Sequence, residues 1–304
     1  MPSSSTTWRV NITKIFDLSD PYQPKFIRDW GLVGQEPGST VTPIPPTIHM
    51  AIIHTDPKYG TRLYGGYATS DGACQVADVA KMIDPAHIAP TADSILYAQL
   101  GYLRLAKEFG CHSFFPVLQM SMPDYVDNIA AAGIQDFGLI STEATSNGCQ
   151  SYRAMAQAID LNNLSQMQVV SSFFVPSIQG YKHYCQEDAR FGSHSVSESY
   201  LPPFYKRFSA VAHFSGGVHI MDYRNPFDLK DIAWFVPETN QNTIQNCATR
   251  SGVQTCSQVI QTNNAETDDR GYVYIVDRAG TGTHILELTG EAREMLFQDA
   301  DAPK

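Results

Sequence analysis

The chain has 304 residues, a formal net charge of −10, 17% charged residues and 11% aromatic residues. This length can bury a full core in one domain, and so low a charge content is not typical of a disordered chain. The acidic balance and the lack of clustered Lys and Arg exclude a nucleic-acid partner. No apolar run approaches the ~20 residues of a membrane-spanning helix, and residues 1–8 lack the charged and apolar regions of a signal peptide.

A short pattern recurs in chain order: an apolar strand ends in Asp, a turn follows, and a second short strand begins. The copies end at Asp17, Asp78, Asp160 and Asp222, which are 61, 82 and 62 residues apart. The strands that follow include residues 25–30 and 231–236. Aromatic residues of these outer strands are expected in the core, namely Trp30, Phe173, Phe174 and Trp234. Self-similarity at this period indicates a repeat architecture.

Two further strands are predicted before the Asp strand of each module. The first strands are predicted at residues 48–53, 111–117, 193–198 and 263–267. The second strands are predicted at 62–67, 136–140, 208–214 and 272–276. Four strands per module predict an all-β fold, a β-propeller with four-stranded antiparallel blades around a central tunnel. Five blades are expected, with four as the alternative, in one domain over 1–304 whose N-terminal strands close the ring with the C-terminal blade. A β-sandwich or two all-β domains is the competing interpretation.

Polar residues occupy equivalent positions at the start of the first strands. They are His49, His112, His194 and Asn264, spaced 63, 82 and 70 residues apart. Residues just past the second strands form another set: Asp71, Glu143, Ser215, Asp277 and Arg278. In a propeller both sets converge on the mouth of the tunnel, so a polar or metal-binding site is predicted there, with Glu198 on the same side of its strand as His194. The histidines alone favour Zn²⁺, although a His at a strand start is commonly structural.

Four segments carry a family resemblance: residues 16–25, 190–198, 213–222 and 261–278. With these segments the chain resembles the LVIVD-repeat β-propeller proteins of bacteria over most of residues 8–290. The resemblance implies a periplasmic or secreted protein. More distantly, the chain is similar to calcium-dependent propeller lactonases of the paraoxonase and gluconolactonase type. That likeness shifts the expected metal to Ca²⁺, with Zn²⁺ or another transition metal as the alternative. The predicted ligands are His49, His112, Glu143, His194, Glu198 and Asn264.

The main functional hypothesis is a metal-dependent hydrolase that opens lactones or esters, such as N-acyl-homoserine lactones, at the tunnel mouth. The metal would polarise the carbonyl, and His112, His194 or Glu143 would activate water. A non-catalytic, secreted or surface-associated binding scaffold is the alternative, and a copper redox propeller is a third. No Gly-x-Ser-x-Gly motif is present, which disfavours a serine esterase. A monomer is expected.

The chain has six cysteines. Cys247 and Cys256 bracket a loop and are predicted to close a hairpin with a disulfide. The family pattern implies a second disulfide between Cys149 and Cys185. Cys74 and Cys111 are expected to be free thiols.

Overall fold

A computed structural model of the protein describes residues 7–122, 133–151, 154–173, 175 and 181–298. Its backbone contacts divide the chain into two units, Met1–Phe114 with Asn163–Met167, and Phe115–Asn162 with Gln168–Lys304. Small antiparallel sheets dominate both units, and the described helices are short. The all-β class predicted from the sequence is therefore confirmed. No helix among these residues is long and apolar enough to cross a membrane.

Unit 1 contains a two-stranded and a four-stranded sheet. The first pairs β1 (Thr13–Asp17) with β2 (Lys25–Trp30). The second has the order β3-β4-β5-β6, in which every strand is antiparallel to its neighbour in sequence. Its strands are β3 (Ile48–Asp56), β4 (Gly60–Tyr67), β5 (Ala73–Asp78) and β6 (Gln99–Arg104). This order is the meander expected for one module.

The connection between β5 and β6 contains helices α1 (Val79–Met82) and α2 (Ala92–Ala98). The repeat pattern predicts no helix at this position. Helix α2 begins with a capping box, in which the Thr91 hydroxyl accepts from Ser94 N and Ser94 Oγ accepts from Thr91 N. This arrangement satisfies backbone donors that a helix start otherwise leaves unpaired. Both helices pack on the core around Trp30, which is buried as predicted and donates from its indole to Gln75 Oε1 at 3.0 Å.

Unit 2 contains most of the next sheet, which has the order β10-β9-β8-β7. Its strands are β7 (Ser113–Ser121), β8 (Ile134–Ser141), β9 (Ala156–Asp160) and β10 (Gln168–Phe173). The following three-stranded sheet consists of β11 (Phe208–Ala212), β12 (Val218–Asp222) and β13 (Lys230–Phe235). Helix α3 (Tyr181–Gln186) precedes this sheet in the chain.

The C-terminal part of unit 2 adds a hairpin, a sheet and a helix. The hairpin pairs β14 (Gln245–Arg250) with β15 (Val253–Gln258). The sheet consists of β16 (Thr262–Thr267), β17 (Tyr272–Asp277) and β18 (Thr283–Glu287), and helix α4 (Gly290–Phe297) follows. The core between the β11–β13 and β16–β18 sheets and α4 is apolar, and includes Ala210, Ala212, Val218, Ile220, Val273, Ile275 and Leu296.

The predicted first strand at residues 193–198 is present as a backbone-paired segment beside β11. His194 N donates to Ala212 O at 2.8 Å, and Ser197 N donates to Ala210 O at 2.8 Å. In return, Ala212 N donates to Ser195 O at 3.0 Å. The segment thus extends the three-stranded β11–β13 sheet by one antiparallel neighbour, as the module pattern requires.

The repeated Asp ends a strand in five modules, not four. In each, the carboxylate accepts a backbone N–H from the turn toward the outer strand, as Asp side chains do in Asx turns and helix caps. The bonds are Ser19 to Asp17 (2.8 Å), Lys81 to Asp78 (3.1 Å), Asn162 to Asp160 (2.8 Å), Arg224 to Asp222 (3.0 Å) and Ala279 to Asp277 (2.7 Å). When the sheets are aligned on this Asp, β17 is the Asp strand of its module and β16 is the second strand. The prediction of residues 263–267 as a first strand is therefore wrong, and Asn264 does not occupy the position of His49, His112 and His194.

The six cysteines form three disulfides. The predicted Cys149–Cys185 and Cys247–Cys256 pairs are confirmed, and the latter two cysteines face each other in the β14–β15 register. The expectation of free thiols at Cys74 and Cys111 is wrong, because their Cα atoms lie 5.7 Å apart and the sulfurs are bonded. Glycine makes this approach feasible: a side chain at Gly66 would collide with the Cys111 carbonyl.

The other aromatic predictions have mixed outcomes. Phe173 is buried as expected, but Trp234 is 68% exposed, so its placement in the core is wrong. The burial pattern of β13 explains the error, because that strand leaves its last two side chains, Trp234 and Phe235, exposed. Phe174 lies outside the described residues.

Candidate functional site

The predicted site residues belong to both units. His49 and His112 lie in unit 1, whereas Glu143, His194, Glu198 and Asn264 lie in unit 2. In unit 1 the two imidazole rings pack together, with centroids 3.9 Å apart and planes at 37°. His49 is exposed on β3, and His112 is buried directly after the disulfide-bonded Cys111. The two predicted site histidines of unit 1, His49 and His112, are therefore adjacent.

Glu143 is the centre of a charged cluster in unit 2. Arg190 Nη1 donates to Glu143 Oε1 at 2.7 Å, and Arg278 Nη1 lies 4.0 Å from the same oxygen. The Glu143 side chain is 10% exposed, whereas those of Arg190 and Arg278 are 25% and 45% exposed. Among these three charges, the Arg278 guanidinium is the most open to a ligand.

Phe214 forms the buried floor beneath both guanidinium groups. The central carbons of Arg190 and Arg278 lie 5.6 and 5.8 Å from its ring centroid, within the range of cation–π attraction. Phe214 has a φ of 48°, which is uncommon for a bulky residue. Two reciprocal 3.0 Å backbone hydrogen bonds with Thr262 hold it there. The backbone pairing with Thr262, the first residue of β16, thus positions the Phe214 ring.

Gln261 fixes the backbone of Arg190 beside this floor. Its side-chain oxygen accepts from Arg190 N at 3.3 Å, and its Nε2 donates to Arg190 O at 3.1 Å. Ser215 N donates to the same carbonyl at 3.1 Å. Because β16 begins directly after Gln261, the sheet positions Arg190 although Arg190 itself lies in an irregular segment.

His194 and Asn264 adjoin the same floor through Asn263. The His194 ring centroid lies 5.1 Å from that of Phe214, and His194 Nδ1 donates to the Asn263 carbonyl. In neutral His194 the basic nitrogen is therefore Nε2, since a carbonyl can only accept. Asn263 Nδ2 donates to Asn264 Oδ1, and Arg278 Nη1 donates to Asn263 Oδ1 at 3.4 Å. Four predicted residues (Glu143, His194, Asn264 and Arg278) thus share one polar neighbourhood, which we call the Phe214 site: Glu143, Arg190, His194, Phe214, Asn263, Asn264 and Arg278.

The charges of the Phe214 site do not suit a calcium ion. Two guanidinium groups accompany one carboxylate, so the net charge is positive, and both Glu143 Oε1 and Asn264 Oδ1 already accept hydrogen bonds. Calcium needs six to eight oxygen ligands. His49 and His112, whose rings pack together, are side chains of the type that zinc binds in proteins. Ca²⁺ and Zn²⁺ binding stay predictions from the sequence.

Glu198 belongs to a second polar group with Glu266. Glu266 Oε2 accepts from Glu198 N at 3.0 Å and from Ser197 Oγ at 3.2 Å. Burial and the charge of Glu266 raise the pKa of Glu198 to about 7. Within the described residues, Glu198 Oε1 is buried and has no hydrogen-bond partner. Glu198 is therefore a desolvated carboxyl beside another carboxyl.

Sequence reasoning overlooked Arg190, Asn263 and Phe214. Arg278 was placed at the tunnel mouth and does approach Glu143, whereas Asp277 caps a turn through Ala279 N and Thr281 N. Arg190 and Glu143 are 47 residues apart, and no repeat position links them. The sequence signal that could have indicated this cluster is the basic residue Arg190, four positions before His194.

Neither a protein-family model nor a curated protein matches the chain. Among solved structures, the chain is similar to the Cps50 (Swd1) β-propeller domain of Myceliophteria thermophila, with 8% identity, 92% coverage of this chain and a TM-score of 0.48. Chaetomium thermophilum Sqt1, solved bound to the N-terminus of ribosomal protein L10, is 13% identical over 90% of this chain with a TM-score of 0.40. This chain spans 65% of the length of each. The LVIVD-repeat and lactonase resemblances stay predictions.

Proposed function

We propose that the protein is a non-catalytic β-propeller binding module that holds an acidic peptide segment of a partner at the Phe214 site. Five strands end at the repeat Asp (Asp17, Asp78, Asp160, Asp222 and Asp277) and are each followed by an outer strand, which supports a repeat count of five. The orders β3-β4-β5-β6 and β10-β9-β8-β7 are meanders, as in propeller blades. Three disulfides support an oxidising, extracellular location.

The observation that carries the proposal is the position of Arg278. Its guanidinium lies above the buried Phe214 ring, is 45% exposed, and lies 4.0 Å from a carboxylate that Arg190 already contacts at 2.7 Å. Arg binds carboxylates with planar, directional donors. An incoming acidic side chain can therefore pair with Arg278 while Arg190 remains in its ion pair with Glu143. The second guanidinium maintains a positive field although the whole chain is acidic.

The same geometry favours binding over hydrolysis. A hydrolytic base must reach the proton of an attacking water. Glu143, one of the predicted bases, instead sits in an ion pair on a fixed floor. The lactone-opening hypothesis stays a prediction from the sequence. Ester or lactone turnover by the purified protein that is lost in a Glu143→Gln variant would favour this hypothesis over the binding module.

The proposal is tested by titrating the protein with the N-acetylated tetrapeptide Asp-Glu-Asp-Glu, with Asn-Gln-Asn-Gln as the uncharged counterpart. Only the acidic peptide should bind, and Arg278→Gln should weaken binding about 10-fold, the usual value of one charge-assisted hydrogen bond. Arg293→Gln is the matched control. Arg293 also pairs with one Glu at 3.0 Å, lies 5.3 Å from a Phe ring and is 51% exposed.

Equal weakening by Arg278→Gln and Arg293→Gln would mean that the peptide senses overall charge and not the Phe214 site. Equal affinity for the two peptides would remove the acidic specificity altogether. Either result contradicts the proposed function.

A further inference from the structure

A second positively charged feature lies in unit 2 and shares no residue with the Phe214 site. It is a cleft of about 540 Å³ where β11 begins, β12 ends and β13 begins. Its charged lining residues, which define the basic cleft, are Lys206, Arg207, Asp222, Arg224, Asp228 and Lys230. Four cations against two carboxylates leave a net charge of +2 in a chain whose net charge is −10. A local reversal of the overall sign indicates a place where an anion is favoured.

Arg224 is held rigidly at this cleft. It donates from Nε and Nη2 to both Asp222 oxygens, at 2.7 to 3.2 Å, and its central carbon lies 5.1 Å from the Phe208 ring centroid. Asp222 is the repeat Asp of its module, and in the other four modules the turn residue that donates to this Asp is Ser, Lys, Asn or Ala. An Arg at that position is therefore an addition to the repeat that the turn itself does not require.

The remaining cations come from two places: Lys206 and Arg207 lie in the turn before β11, and Lys230 begins β13. Arg207 lies 5.1 Å from the same Phe208 ring and donates to the α4 carbonyls of Leu296 and Met295. Lys206 donates to Gln119 O at 3.1 Å. Lys230 contacts Asp228 at 3.3 Å, and both are more than 60% exposed. A surface pair of this kind is weak, so Lys230 can turn toward a bound anion at little cost.

We propose that the basic cleft binds a phosphate dianion, either as free phosphate or as a small phosphate monoester. A dianion balances the net charge of the cleft, and a guanidinium fixed beside ammonium groups is the usual partner of phosphate oxygens. The volume exceeds what a bare phosphate needs and falls within the range of small-molecule sites. A polyanion such as RNA is disfavoured, because the surrounding chain is strongly acidic.

The test is calorimetric titration of the full chain with inorganic phosphate and with glucose 6-phosphate, and with glucose as the uncharged probe. One phosphate compound or both should bind at a single site that weakens with added salt, and glucose should not bind. Tighter binding of glucose 6-phosphate identifies the ester as the source of the dianion. Tighter binding of inorganic phosphate identifies the free anion. Arg224→Gln should weaken binding at least about 10-fold, and Lys230→Gln about 3-fold.

Arg270→Gln is a close control, because it repeats the geometry of Arg224 without the cleft. Arg270 donates from Nε and Nη2 to Asp268 at 2.8 and 2.6 Å and lies 5.1 Å from the Tyr272 ring. It should leave phosphate affinity unchanged. Lys230→Gln keeps the test decisive if Arg224→Gln fails to fold, since Lys230 is 64% exposed. The proposal is overturned if neither phosphate compound binds, if glucose binds equally well, or if neither cleft variant weakens binding more than Arg270→Gln.

Discussion

Glu198→Gln should stabilise the protein at alkaline pH and leave its stability at acidic pH unchanged. Glu198 lies next to Glu266, whose Oε2 accepts from the Glu198 backbone N–H at 3.0 Å. Burial first, and the Glu266 charge second, raise the pKa of Glu198 from 4.5 to about 7. Glutamine keeps the size and shape of the side chain but has no charge to desolvate, so the variant isolates the cost of ionisation.

The direction of this pH dependence follows from the linkage between proton binding and folding. The folded-state pKa of Glu198 exceeds the unfolded value, so folding favours the protonated carboxyl. Its stabilising contribution is fully present below about pH 4.5 and is lost as the pH rises through about 7. The shift from 4.5 to about 7 corresponds to at most about 3 kcal/mol. Because Glu198 is only partly buried, solvent screening reduces this to about 1–2 kcal/mol.

The assay compares thermal unfolding of wild type and Glu198→Gln at about pH 4 and about pH 8. A gain of about 1–2 kcal/mol raises the melting temperature of a chain of this size by about 2–3 °C, and the gain should appear only at the higher pH. Glu294→Gln, a substitution at an exposed position of α4, is the control and should show no pH-dependent difference. A Glu198→Gln variant that melts below wild type at about pH 8, or gains equally at both values, would refute the reasoning.

Three further predictions concern the disulfide, the turn and the metal. Replacing Cys74 and Cys111 together by Ser should cost about 3–4 kcal/mol of unfolding free energy by denaturant titration, because their bond closes a loop across a sequence separation of 37; an unchanged midpoint would contradict the pairing. Gly217→Ala should cost more than about 2 kcal/mol in the same titration, because a Cβ there would collide with the Phe235 carbonyl at a φ of +75°. Gly252→Ala, at a φ of +81° in open space, should cost only about 1 kcal/mol, and equal losses would mean that strain alone decides. Calcium should not raise the melting temperature, since Glu143 is already paired with Arg190; a calcium-dependent rise that EDTA reverses would support the predicted metal site.

Much of the strand pattern was predictable because Asp-terminated strands have a local physical cause. Each repeat Asp caps the turn that follows it, so its position is written into a few consecutive residues. The sequence pattern does not predict the fifth Asp strand, which ends at Asp277, because it assigns residues 272–276 to the second strand of their module. Helix α2 was also missed, since its capping box, Thr91 and Ser94, occupies an insertion that interrupts the period.

Features that depend on contacts between distant segments were less accessible. The Cys74–Cys111 disulfide forms because Gly66 lets a later segment approach β4, which no spacing between cysteines reveals. The Arg190–Glu143 pair joins two irregular segments, so neither strand alternation nor repeat position could have found it. Histidines at strand starts were detectable by register. Their chemistry was not, because it depends on which neighbours carry charge.

The most direct measurement of the central claim follows the Nε–H resonance of Arg278 by NMR while the acidic tetrapeptide is added. The proposed function predicts that this resonance shifts saturably, and that the resonances of Arg270 and Arg293 stay in place. An unmoved Arg278 signal during saturable binding, or equal movement of all three, would show that the Phe214 site does not hold the acidic group.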